Sequence, residues 1–170
     1  PAFWTRAGSL EAQVEAAAVS RGDVHLVSGR PYLARLMGYG LLRPGATVPG
    51  MGFAGTVLDP NGTSFRAGER VWGEAHTGAW AQRVAVPPER VSRAPAEGQL
   101  ADWASLPWAA IPALQGLRAA DLKPGDRVLI NGAAGAVGSA ALQLARAQGY
   151  RSVAVARGHH GDRLRGLGAD

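Results

Sequence analysis

Arg127-Val128-Leu129-Ile130-Asn131-Gly132-Ala133-Ala134-Gly135-Ala136-Val137-Gly138 is the stretch whose reading decides the fold. Residues 127 to 130 read as a short buried strand. After the glycines, Val137, Ala140, Ala141, Leu144 and Ala145 fall on one face of a helix, and Gly149 is a natural stop for it. A strand that turns sharply into a helix through residues with little or no side chain leaves backbone N–H groups open to an anion. The positive end of the helix dipole faces the same way. A pyrophosphate is the usual guest.

Alone, a glycine turn of this kind is weak evidence, and here Ala133 holds the place of the first Gly of the G-x-G-x-x-G pattern, with Gly132 just before it. Context raises it. A second strand, residues 152 to 156, follows at the distance expected of a βαβ unit. That strand runs into Arg157-Gly158-His159-His160, where an NAD site wants Asp or Glu for the ribose hydroxyls. The basic end points to NADP with Arg157 on the 2′-phosphate; the alternative is that Arg157 is a solvated charge. The cofactor-binding residues expected on this reading are Gly132, Ala133, Ala134, Gly135, Ala136, Val137, Gly138 and Arg157.

The 170 residues suffice for one ordinary domain or two small ones, and a hydrophobic content of 46% supports a packed core. Many turns are expected from 24 Gly and 11 Pro. The formal net charge of +5 suits an anionic cofactor, while arginines scattered without a Lys/Arg run argue against a nucleic-acid surface. Without cysteine, disulfides and thiolate zinc sites are excluded. No apolar run is long enough to span a membrane, and the first residues lack a basic segment followed by an apolar core. A cytoplasmic protein is the expectation.

From residue 10 to 18, Leu10, Ala12, Val14, Ala16 and Ala18 alternate with Glu11, Gln13 and Glu15, the pattern of a half-buried strand. Residues 19 to 25 then lead into a polar, Gly-rich loop that runs to Pro49 and carries Tyr32 and Tyr39. Further strands are expected at 52 to 58, 69 to 72 and 79 to 86, with a turn at Asp59-Pro60-Asn61-Gly62. Together they suggest a compact all-β module. Residues 99 to 120 are rich in Ala, Leu and Trp, with Asp102 as helix cap and Pro107 and Pro112 breaking the segment into short helical pieces. Trp103 and Trp108 read as core packing rather than as a stacking platform.

A β module, a helical bridge, then Leu122-Lys123-Pro124-Gly125-Asp126-Arg127-Val128-Leu129-Ile130 and the glycine turn closely resemble the zinc-independent quinone oxidoreductases of the medium-chain dehydrogenase/reductase superfamily. Supporting matches are Pro49-Gly50 with Phe53-Ala54-Gly55, Gly68-Glu69-Arg70-Val71-Trp72-Gly73, Gly78-Ala79-Trp80-Ala81 and Gly166-Leu167-Gly168-Ala169-Asp170. The resemblance implies an α/β chain: a GroES-like substrate domain over 1–98, a helical bridge over 99–121, and the start of a Rossmann doubly wound parallel sheet over 122–170. It also implies a nicotinamide held between the two domains. The implied chemistry is hydride transfer from NADPH to a quinone or an α,β-unsaturated carbonyl, with a homodimer expected of the full-length protein. An enoylreductase of polyketide or fatty-acid assembly looks similar through the same turn. A non-catalytic NADPH-binding protein is the remaining reading.

In the zinc-dependent branch a Cys stands at the place of Ser20 and a His-Glu pair at that of Met51-Gly52, so no catalytic metal is expected, and His25 lacks partner ligands. Quinone reductases commonly carry Asn at the place of Ser20, an acid at that of Gly52 and Thr at that of Pro112. The pocket that positions substrate is therefore altered, which implies either a specialised reductase or a member with little activity. Ser20 and Tyr32 are the candidate catalytic hydrogen-bonding side chains. Asp23 matches an Asp of the family and is as well suited to bracing a turn. With two of the expected Rossmann strands, the sequence is expected to be the first half of a longer protein or a fragment stabilised by a partner.

Overall fold

The alternation that begins at Leu10 becomes β1 (Leu10–Ala17), with Leu10 and Ala12 fully buried and Glu11 and Gln13 half-buried. The computed structural model describes residues 8–30 and 48–170, and divides the chain into two units, Pro1–Pro107 and Trp108–Asp170. In the first, β1 pairs antiparallel with β2 (Gly52–Asp59) on one side. A five-stranded sheet forms when β3 (Arg70–Glu74), β4 (Arg83–Val86) and β5 (Val91–Arg93) join in the order β4-β1-β2-β3-β5. Its core is Leu10, Phe53, Val57, Val71, Val84 and Val86 with their neighbours. The turn after β2 follows the local chemistry: Asn61 (φ 45°) and Gly62 (φ 77°) both take positive φ, and the Thr63 N–H closes it on the Pro60 carbonyl at 2.9 Å.

The stretch after β1 differs from the expected loop, because residues 21–28 form a helix, α1 (Arg21–Ser28). Its ends explain it. Ser20 and Asp23 close a capping box at the start, and Gly29 turns left-handed (φ 59°) at the end. The apolar pattern does not announce this helix, since Val24 and Val27 are 54% and 53% exposed. Later in the unit, α2 (Leu100–Ser105) starts from Gln99 with no side-chain cap. Asp102, expected as the cap, sits instead in the first turn, where its charge still complements the helix dipole. Trp103 packs at 6.1 Å from Trp72, ring to ring.

Pro107 opens α3 (Pro107–Ala119), where a missing N–H costs nothing, and Pro112 lies inside that helix without dividing it. The expected break at Pro112 is absent because a proline removes only one hydrogen bond, and Ala113 and Leu117 hold their face buried around it. Trp108, expected in a core, is 40% exposed, and Ile111 on the same helix is 38% exposed.

The second unit continues with β6 (Arg127–Asn131), α4 (Ala136–Ala147), β7 (Arg151–Val155), a 3₁₀ turn Gly158–His160 and α5 (Gly161–Leu167). β6 and β7 pair in parallel, Leu129 opposite Val153 and Asn131 opposite Val155. One face of this two-stranded sheet is packed: Ile130 clusters with Ala133, Ala141, Leu142, Leu164 and Ala113. On the other, Leu129 is 66% exposed and Val153 47%, so β6 is not the fully buried strand expected of it. Helices on one side cannot shield both faces of a pleated ribbon. No helix among the described residues is long and apolar enough to cross a membrane.

Candidate cofactor-binding site

β6 ends at Asn131 and the chain turns through Gly132, whose φ of 71° suits a residue without a side chain. The Gly135 N–H closes the turn on the Gly132 carbonyl at 2.9 Å, and Gly135 becomes the N-cap of α4 with no side chain to offer it. The first-turn N–H groups of α4, from Ala136 to Gly138, therefore have no capping side chain and point out of the helix. Ser139 makes the first helical bond, to the Gly135 carbonyl at 2.9 Å.

Each small residue has its own reason. A Cβ on Gly138 would stand 2.5 Å from the Gly132 carbonyl oxygen and 2.6 Å from Ala133 Cα, so only glycine lets α4 approach the turn this closely. A Cβ on Gly132 meets nothing within 4 Å, so the space before the turn is open. Ala133, in the place of the pattern's first glycine, is fully buried in the core below the turn. This cradle of open N–H groups at a helix N-terminus fits the pyrophosphate of a dinucleotide.

The N–H of Ala133 also donates to the Val155 carbonyl at 3.1 Å, holding the turn to the last residue of β7. Two residues on, Arg157 begins the 3₁₀ turn with an exposed side chain, and among the described residues it has no ion pair. Within that turn the rings of His159 and His160 lie 3.9 Å apart. Desolvation, and then the charges of His159, Arg163 and Arg157, hold His160 below the ordinary histidine range. Neither histidine is among the site residues expected from sequence. Their only signal there is the basic run that carries Arg157.

In the first unit, the Ser20 hydroxyl donates to Asp23 Oδ2 at 2.6 Å, and the Ser20 N–H donates to the same oxygen at 2.8 Å. The Asp23 N–H returns a bond to Ser20 Oγ at 3.3 Å. Asp23 is 1% exposed, and its Oδ1 is buried without a hydrogen-bond partner among the described residues. Met51 lies near Ser20 in this unit: a Cβ on Gly22 would be 3.3 Å from Met51 Cε and 3.4 Å from Ser20 Oγ. Gly52 is buried at the start of β2, its carbonyl accepting from Ala18 at 3.0 Å. Tyr32 lies outside the described residues. Among those residues, no three His, Cys, Asp or Glu side chains group as a metal site.

No protein-family model matches the chain. It is 32% identical over 193 residues to the pikromycin polyketide synthase component PikAII of Streptomyces venezuelae, covering 100% of this chain and 5% of that protein. With the acrylyl-CoA reductase AcuI of Ruegeria pomeroyi it shares 36% identity over 144 residues, 78% of this chain and 43% of that one. Among solved structures, the CurK enoyl reductase superposes with a TM-score of 0.86 at 26% identity, over 100% of this chain and 52% of that one. The quinone oxidoreductase of Thermus thermophilus, solved also in complex with NADPH, does so with a TM-score of 0.79 at 31% identity over 100% and 52%. The chain thus spans about half the length of these structures.

Proposed function

We infer the function from what the chain is: it belongs to the zinc-independent, quinone-oxidoreductase-like branch of the medium-chain dehydrogenase/reductase superfamily. We propose that the protein is an oxidoreductase that passes a hydride from NADPH to a quinone or to the β-carbon of an α,β-unsaturated carbonyl, with no metal. The observation that carries this reading is the open glycine turn before α4, tied by the Ala133 to Val155 bond to the strand end that bears Arg157.

When bound, NADPH supplies the hydride; the chain's own residues bind and orient it. The N–H groups of Ala136, Val137 and Gly138 would hold the pyrophosphate, and the Arg157 guanidinium would hold the 2′-phosphate. Gly132, Ala133, Ala134 and Gly135 shape the turn that lets the phosphates come close. Ser20 and Tyr32 are the side chains we assign to the carbonyl oxygen, and for Ser20 this requires its hydroxyl to exchange Asp23 for substrate. We keep 1–98, 99–121 and 122–170 as the substrate domain, bridge and nucleotide-binding half.

A second reading, an enoyl reductase acting on acyl thioesters, is supported by the match to PikAII along the whole chain and by the names of CurK and AcuI. A non-catalytic NADPH-binding protein is the third, motivated by Gly52 and Pro112, which offer no carboxylate or hydroxyl.

The experiment is NADPH oxidation by the protein across a panel of quinones, enones and acyl thioesters, with NADH and an Arg157→Ala variant in parallel. Quinone or enone turnover supports the first reading and strict thioester selectivity the second. Tight NADPH binding with no turnover of any substrate supports the third. Equal binding of NADH and NADPH, unchanged by Arg157→Ala, overturns the phosphate assignment.

A further inference from the structure

The sequence holds two asparagines, Asn61 and Asn131, and a glycine follows each. In an Asn-Gly pair the next residue's backbone nitrogen reaches the side-chain amide most readily, because glycine has no Cβ to obstruct the approach. The fold treats the two pairs differently. In the turn after β2, Asn61 Nδ2 donates to the Ser9 carbonyl at 3.0 Å and the Asn61 N–H to Asp59 Oδ1 at 2.8 Å, while the Thr63 to Pro60 bond closes the turn over both residues. That amide is pinned. Asn131 is the last residue of β6, exposed, and its side chain makes no hydrogen bond among the described residues. The Gly132 N–H beside it is likewise unbonded among those residues, and the space around Gly132 is open. Nucleophile and amide are thus both free at Asn131-Gly132, whereas at Asn61 the amide is held.

We propose that Asn131 is a site of spontaneous deamidation, preferred over Asn61, and that its conversion dismantles the glycine turn. The Gly132 backbone nitrogen bonds to Asn131 Cγ and gives up its proton as the Cγ–Nδ2 bond breaks, releasing ammonia and closing a succinimide ring. Water then opens the ring at either carbonyl, leaving an aspartyl or an isoaspartyl residue. No electrons are exchanged, and hydroxide accelerates the first step by drawing off the Gly132 proton.

The product falls where the backbone has no slack. Isoaspartyl opening routes the main chain through Cβ and Cγ, adding an atom to the backbone immediately before Gly132. In the turn that follows, the Gly135 N–H bonds back to the Gly132 carbonyl at 2.9 Å, the Ala133 N–H is fixed on Val155, and Gly138 packs directly on Gly132 and Ala133. Either product also sets a carboxylate, which only accepts hydrogen bonds, where an amide stood. Beside a turn that takes an anion, this charge repels the guest. Loss of dinucleotide affinity rests on the reading of the turn as a pyrophosphate site; the deamidation itself does not.

The test is incubation of the protein in oxygen-18 water at mildly alkaline pH, folded and in concentrated urea, with tryptic peptides followed by mass spectrometry. Asn131 falls in peptide 128–146 and Asn61 in another. We expect label to enter at Asn131 several-fold faster than at Asn61 in the folded protein, and at similar rates once urea removes the fold. Folded protein in which Asn131 takes up label no faster than Asn61 overturns the proposal. Fluorescence titration with NADPH then compares fresh and aged protein. Aged protein should lose affinity in proportion to the label at Asn131, and saturating NADPH should slow labelling there and not at Asn61. Asn131→Gln, whose longer side chain closes such a ring far more slowly, should keep on ageing whatever affinity it has when fresh. Label at Asn131 with undiminished NADPH affinity overturns the damage to the turn. Fresh protein that binds no NADPH, while Asn131 still takes up label, overturns the pyrophosphate reading and leaves the deamidation standing.

Discussion

The N–H of Ala133 donates to the carbonyl of Val155 at 3.1 Å, so the residue in the place of the pattern's first glycine is the one that joins the glycine turn to the end of β7. Arg157 follows two residues beyond the acceptor, at the start of the 3₁₀ turn. The bond itself continues past the β6–β7 ladder, which ends with Asn131 opposite Val155.

The glycines of that turn should respond unequally to a methyl group. Gly138→Ala forces a Cβ against the Gly132 carbonyl and Ala133 Cα, both backbone atoms at 2.6 Å or less, and should destabilise by about 1–3 kcal/mol. Gly135 has an ordinary φ of −78° and one contact at 3.3 Å, so Gly135→Ala should cost about 1 kcal/mol or less. Urea denaturation of the two variants checks the order. Equal losses would mean that α4 can move away from the turn.

Ser20 and Asp23 should prove to be structural partners whatever else they do. Removing the hydroxyl in Ser20→Ala should cost about 1 kcal/mol, the ordinary value of an N-cap. Asp23→Ala should cost more, about 1.5–3 kcal/mol, because it removes a nearly fully buried carboxylate that accepts two bonds from Ser20. Paired denaturation curves of the single and double variants read this, and non-additivity is expected because the two side chains share one network.

The two faces of the β6–β7 ribbon should differ in their tolerance. Leu142 is fully buried beneath it, and Leu142→Ala should cost about 2–5 kcal/mol. Leu129, 66% exposed on the other face, should lose about 0.5 kcal/mol or less in Leu129→Ala of this 170-residue chain. Thermal melts measure both.

Glu69 should titrate below the ordinary glutamate value. Arg93 donates to its Oε1 at 2.9 Å and the Arg66 N–H to its Oε2 at 2.9 Å, and these bonds, the Arg93 one first, favour the charged carboxylate. A folded pKa that is depressed contributes stability above the unfolded value, which is lost as pH falls through the folded one. Arg93→Ala should therefore raise the Glu69 pKa, as followed by the carboxyl carbon shift in an NMR titration, and weaken the acid dependence of stability. A Glu69 titration that the variant does not move would disprove the pairing.

Residues acting over a short span were legible without a structure. The glycine spacing from Gly132 to Gly138, the apolar periodicity of α4, the alternation from Leu10 and the Asn61-Gly62 turn are local requirements of backbone conformation, and the chain meets each where they predict. The α/β class and the superfamily followed from the order of those pieces. What needed the tertiary structure was the partner of each surface. α1 exists because Ser20 and Asp23 cap it, although its valines stay exposed. Pro112 stays helical because its neighbours hold the buried face, while Leu129 lies open because packing covers only one side of β6. The same holds for the packing of His159 on His160 and for Ser20 and Met51 both lying close to Gly22. Periodicity states that a side chain has an apolar or a charged nature, but burial and electrostatic coupling depend on distances between residues far apart or turned toward one another, and only the folded chain sets those.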